Sequence, residues 1–162
     1  MDNTGISNVK RGVSIAADNA SVVINSSEIV ARYYGVTVGA SGVELSVNGG
    51  TVQGWAAIMF TANDWTVDRI KSNKGAVVNA QGAELVGRSI SDEGYGIVVV
   101  QQDYNGAELT FTDCTMLTTV EDGKTGAWQG GIVVRSYGNK ISVSGGYIES
   151  SNITERNLMG MA

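Results

Sequence analysis

The chain has 162 residues, 22 of them Gly and none Pro, and 43% are hydrophobic; this excludes a disordered segment and provides enough chain for one domain with a core of its own. Eleven Lys and Arg against 16 Asp and Glu leave a net charge of -5, and no basic run occurs, so a nucleic-acid backbone finds no concentrated positive charge. One cysteine, Cys114, excludes an internal disulfide, and no apolar run reaches the length of a transmembrane helix, so no membrane insertion is expected.

Met1 to Arg11 lacks the apolar core of a signal peptide. Ile6 precedes Gly12 by the same interval as Ile29 precedes Gly35, so the chain is expected to open partway through a repeat. The first predicted strand is Gly12-Val13-Ser14-Ile15. A longer phrase follows, Val22-Val23-Ile24-Asn25-Ser26-Ser27-Glu28-Ile29, and then Gly35-Val36-Thr37-Val38. The pair recurs as Leu45 to Val52 with Ala57-Ile58-Met59-Phe60, and as Val78 to Leu85 with Gly96-Ile97-Val98-Val99. It recurs again as Leu109 to Met116 with Gly131-Ile132-Val133-Val134, and the long phrase closes as Ile141 to Ile148.

In all five copies of the long phrase, positions one, three and eight are apolar, position four is polar and position six is small: Ser27, Gly50, Ala83, Cys114 and Gly146. Apolar residues two apart mark a strand with one buried face. The small residue is expected to let the chain bend inward. The long phrase returns after 23, 33, 31 and 32 residues, a variable length around a constant core that suits a solenoid with loop insertions. The prediction is an all-β, right-handed, single-stranded parallel β-helix of about five coils, in which equivalent strands pair in parallel and like residues stack. Residues 1–162 form one domain in this reading. No polar cap is evident, so the domain is expected to be a segment of a larger solenoid with incomplete or open ends, able to associate end to end; residues 153–162 would be a cap or a truncated next coil.

The long phrase resembles the repeats of the pectin-lyase-like superfamily, and Leu45 to Val52 and Ile141 to Ile148 match that pattern best. The nearest kind is the non-catalytic repeat of bacterial cell-surface and adhesin-like proteins. The resemblance implies an extracellular or cell-surface location, with the export signal outside this segment, and partners among glycans and other cell-surface components. It is specific for architecture and weak for function, because one fold hosts many activities.

For chemistry, the chain has no His, so a thiol or hydroxyl nucleophile has no usual base to activate it, and Cys114 reads as a buried spacer. Asp68-Arg69-Ile70-Lys71 is similar to the late Arg-x-Lys of hydrolases on this fold, but without their Asp clusters it reads as solvated loop charge. Asp92-Glu93 and Glu121-Asp122 lie in corresponding inserts and are weak candidates for Ca²⁺, which needs six or more oxygens; an acidic loop surface is the simpler reading, and no cofactor is expected. Tyr34, Trp55, Tyr95 and Trp128 each fall close to a Gly–Ile/Val strand or its equivalent, and are expected to form a ladder of rings along one edge. Such rings stack on sugars or simply cover the corner, and Gln53, Arg88, Glu121 and Gln129 are placed to bind hydroxyls. Trp65, Tyr104 and Tyr137 are expected on the other loop corner. Asn19, Asn25 and Asn152 begin glycosylation sequons, which matter only in a glycosylating secretory setting. The leading expectation is a non-catalytic surface module that displays loops and binds carbohydrate. The alternatives are a polysaccharide lyase with Lys or Arg as base, and a segment of a phage or toxin fibre.

Overall fold

The computed structural model describes residues 1–61, 73–92, 94–101, 104–126, 128–150 and 158–159. Among them there is no helix. The strands in chain order are β1 (Gly5–Ile15), β2 (Ser21–Val38), β3 (Glu44–Gly54), β4 (Ala56–Phe60), β5 (Asn73–Lys74), β6 (Val77–Gln81), β7 (Glu84–Ser89) and β8 (Tyr95–Gln101). They continue as β9 (Tyr104–Asn105), β10 (Glu108–Thr112), β11 (Thr115–Val120), β12 (Trp128–Val134), β13 (Lys140–Ser144), β14 (Tyr147–Ser150) and β15 (Leu158–Met159). Every pairing between them is parallel. Thirteen strands make one sheet, and β5 and β9 make a second. The large sheet is curled, and its topology is compatible with a β-helix-like solenoid.

The long phrase repeats in register. Val22, Leu45, Val78, Leu109 and Ile141 are successive partners, as are Ile24, Val47, Ala80, Phe111 and Val143. Position eight stacks Ile29, Val52, Leu85, Met116 and Ile148. From the second to the fourth copy these columns are buried and belong to one continuous core. Ala80 lies between Val47 and Phe111, a small residue next to a large one, which lets the layers interdigitate. Outside the core, polar position four begins a side-chain ladder: Asn25 donates to Asp2 at 2.6 Å, and Asn48 donates to Asn25 at 2.8 Å.

The bend after position four has a backbone cause that the small sixth residue only partly signals. Position five is left-handed in every copy, at Ser26, Gly49, Gly82, Asp113 and Gly145. The sixth residue then runs against the neighbouring copy, and Ser27 and Cys114 each donate back to the carbonyl two residues earlier.

One expectation needs correction. The short phrase of the fourth repeat is displaced by two residues: Ile58 pairs with Val99 and Phe60 with Gln101, so Val98 to Gln101 is the true equivalent of Ala57 to Phe60. A two-residue slip keeps every side chain on its own face, which is why alternation alone cannot detect it. It places Gln101 in an apolar column, where its amide donates to the Tyr104 carbonyl and to Asn139, both at 2.7 Å. Tyr104, expected on the other loop corner, packs inward there. It is buried edge-on to Phe60 and its hydroxyl donates to the Ala40 carbonyl at 2.6 Å. The last copy of the long phrase is not covered. Val143 and Ile148 are 42% and 45% exposed, because among the described residues no strand lies beyond β13 and β14. Residues 153–157 and 160–162 of the expected cap lie outside the described residues, as do Trp65, Arg69, Lys71 and Asn152; Leu158 and Met159 pair with Gln129 and Gly130 of β12.

Candidate functional site

At the corner where β2 passes from Val30 to Gly35, the register with β1 jumps. Val9 pairs with Ala31 but Arg11 pairs with Tyr34, so β2 carries one extra residue there. Such a bulge re-aims the side chains around it. Here it lets two neighbouring rings, Tyr33 and Tyr34, occupy the corner with centroids 6.5 Å apart. Gly35 follows with no room for a side chain, since a Cβ would meet Val52 and the Ala57 carbonyl.

Three of the four rings expected to form a ladder come together. Tyr34 and Trp55 are 5.7 Å apart and tilted, and Trp55 meets Tyr95 edge-on at 5.3 Å. Tyr34 and Trp55 are half-buried, while Tyr33 and Tyr95 are each 39% exposed. The backbone of Trp128 pairs with Tyr95, which places it at the next step; its side chain is outside the described set. Guanidinium groups lie on two of the faces, Arg11 5.6 Å from the Tyr34 centroid and Arg32 5.8 Å from that of Tyr33. Burial holds the Tyr34 phenol above its usual value, against the opposing pull of the Arg11 cation.

Immediately before the rings in each repeat lies an open groove of about 580 Å³. It crosses β1, β2, β3, β7 and the end of β11, which are neighbours in that order. Lys10, Arg32, Gln53, Arg88 and Glu121 line it. Of the polar residues expected near the rings, Gln53, Arg88 and Glu121 are thus brought together in this groove. Arg88 approaches Glu121 at 3.8 Å, both partly exposed.

Sequence reasoning missed Lys10, Arg11, Arg32 and Tyr33. A usable signal was present: Lys10-Arg11 and Tyr33-Tyr34 both precede the glycine of the short phrase, at Gly12 and Gly35, so they fall at equivalent places in successive repeats. Gln129 is buried away from the groove, accepting from Ser150 at 2.6 Å.

The two acidic inserts do meet, but through structural contacts. The Asp92 carboxylate accepts from the Thr125 backbone N–H at 3.0 Å and faces Lys124 at 3.7 Å. Glu121 turns to Arg88, Asp122 is exposed, and Glu93 lies outside the described residues. Among the described residues no group of three potential metal ligands forms. Cys114 is 4% exposed and fills the slot that Ser27 fills in the first copy. Tyr137, on the opposite corner, is 86% exposed.

Comparison of the chain with protein-family models, with the curated proteins and with solved structures found no match.

Proposed function

We propose that the chain is a right-handed parallel β-helix of about five coils, of the pectin-lyase-like kind. In this reading it is a non-catalytic extracellular or cell-surface module that binds a glycan chain along its ring-bearing corner. The five in-register copies of the long phrase support the coil reading. The observation that carries the functional reading is the contacting line of Tyr34, Trp55 and Tyr95 beside a groove that runs the same way. Ring faces and edges offer apolar area to sugar C–H groups, and neighbouring polar groups such as Gln53 and Arg88 bind hydroxyls and fix orientation.

The test is affinity electrophoresis of the purified protein through gels containing a panel of polysaccharides. Trp55→Ala and Tyr95→Ala are compared with the parent, each checked for its parallel-β spectrum by circular dichroism. Retardation by at least one polysaccharide, weakened about tenfold or more in a folded ring variant, is expected. Equal retardation of parent and folded variants would overturn the role of the rings. Growth of ultraviolet absorbance from unsaturated sugar products would replace the non-catalytic reading with the lyase reading. A trimeric mass by sedimentation would favour a fibre segment.

A further inference from the structure

We infer that the groove beside the rings selects an anionic glycan, one carrying sulfate or carboxylate groups along its length. This rests on the proposed glycan-binding function and narrows it.

The argument is one of charge placement. The protein is acidic overall, yet Lys10, Arg32 and Arg88 line one groove, with Arg11 just past it over Tyr34. Among the described residues that line the groove Glu121 is the single carboxylate, and it approaches Arg88 at 3.8 Å. Lys10, Arg11 and Arg32 form no ion pair among the described residues and are exposed. Lys10 and Arg32 each stand one residue past the paired Val9 and Ala31, on adjacent strands. Both cations line the groove, and the stacking of Arg32 on Tyr33 leaves its charge without a carboxylate partner. An arriving anion would supply one.

The shape of the positive region narrows the ligand. Each strand contributes one step of about 4.8 Å along the stacking direction, so five neighbouring strands give a track of roughly 19 Å. Cations enter at the first, second and fourth steps (Lys10, Arg32 and Arg88) and Gln53 at the third. A chain with one or two anionic groups on successive residues meets this sparse row, and its apolar faces reach the rings on the flank. A nucleic-acid strand requires denser compensation, several phosphates neutralised at once. The guanidinium forks of Arg32 and Arg88 suit the paired oxygens of sulfate and carboxylate alike.

The experiment is calorimetric titration of the full chain with three size-matched oligosaccharides: a heparin-derived sulfated one, an oligouronate and a neutral glucan. A single-stranded oligonucleotide of equal charge is the fourth probe. The variants are Lys10→Gln, Arg32→Gln and Arg32→Lys, all at exposed positions, with Trp55→Ala as the ring control. At least one of the two anionic glycans is expected to bind tenfold or more tighter than the neutral glucan, and which one does so names the anionic group. Its affinity should fall with salt with a logarithmic slope of about -2 to -3. Lys10→Gln and Arg32→Gln should each weaken it about three- to tenfold, Arg32→Lys less.

Equal affinity for neutral and anionic glycans, or no effect of the Gln variants, would overturn this inference and leave the glycan-binding function standing. Binding of none of the glycans would overturn both. Preferential binding of the oligonucleotide would overturn the glycan assignment while keeping the groove as a polyanion track.

Discussion

At the scale of single residues, buried polar atoms carry the most testable consequences. Tyr104 is surrounded by core, and burial pushes its phenol from 10 up to about 12. The phenol stays protonated in the folded chain after it has ionised in the unfolded one. Its contribution to stability is therefore fully present below pH 10 and is lost as pH rises from 10 through about 12. Tyr104→Phe strands the Ala40 carbonyl, at a cost of about 1–3 kcal/mol at neutral pH. Because Phe cannot ionise, the gap between parent and variant should narrow between pH 10 and 12 in urea melts; parallel curves would refute the assignment. Cys114 offers a second check. Its thiol donates to the Thr112 carbonyl as the Ser27 hydroxyl donates to that of Asn25, so Cys114→Ser should change stability by less than about 1 kcal/mol. In the parent, a thiol reagent should label Cys114 only at the rate of unfolding or local opening.

At the scale of elements, the phrases set where strands form and the turns set where they stop. Gly50 and Gly82 separate two duties of glycine in equivalent corners. Both have positive φ, but a Cβ on Gly50 would run into the Ser27 backbone whereas one on Gly82 meets nothing within 4 Å. Gly82→Ala should cost about 1 kcal/mol for the left-handed backbone alone, and Gly50→Ala at least about 2 kcal/mol more, since neighbouring backbone must move. Denaturant midpoints measure both. The same elements show how far the sequence could be read. The long phrase was legible because its apolar and small positions recur together five times, so only one register satisfies them. The short phrase has only a period of two, and Gly96-Ile97 imitates its start two residues early; the real equivalent, ending at Gln101, hides a polar residue in an apolar column. The meeting of Tyr34, Trp55 and Tyr95 was legible only through their closeness to the short phrase, since Ala57 and Val98, not glycines, are the equivalents of Gly35. Of the cations in the groove Arg88 was read and Lys10 and Arg32 were missed, because they come from different repeats and no local charge run announces them.

At the scale of the whole molecule, stability in such a stack is close to a sum of neighbour interfaces, so a substitution should be judged by its height in the stack as much as by its slot. Val47 and Val143 hold the same third position of the long phrase. Val47 is flanked by Ile24 and Ala80 and fully buried. Val143 pairs with Phe111 on one side only and is 42% exposed. Val47→Lys would place an ammonium in the dry centre without a partner, a loss above about 4 kcal/mol that should leave the chain unfolded or nearly so. Val143→Lys keeps its ammonium in water and should stay within about 1 kcal/mol of the parent, a shift in Tm of less than about 4 °C. A lysine on an outer strand also discourages edge-to-edge pairing. If β13 is an open edge in solution, the parent should gain mass with concentration in sedimentation and Val143→Lys should not. Equal destabilisation by the two lysines would mean that Val143 is covered in solution, either by more of the chain than the described strands or by a second molecule. The parent's sedimentation then separates these, since only a second molecule makes the covering depend on concentration.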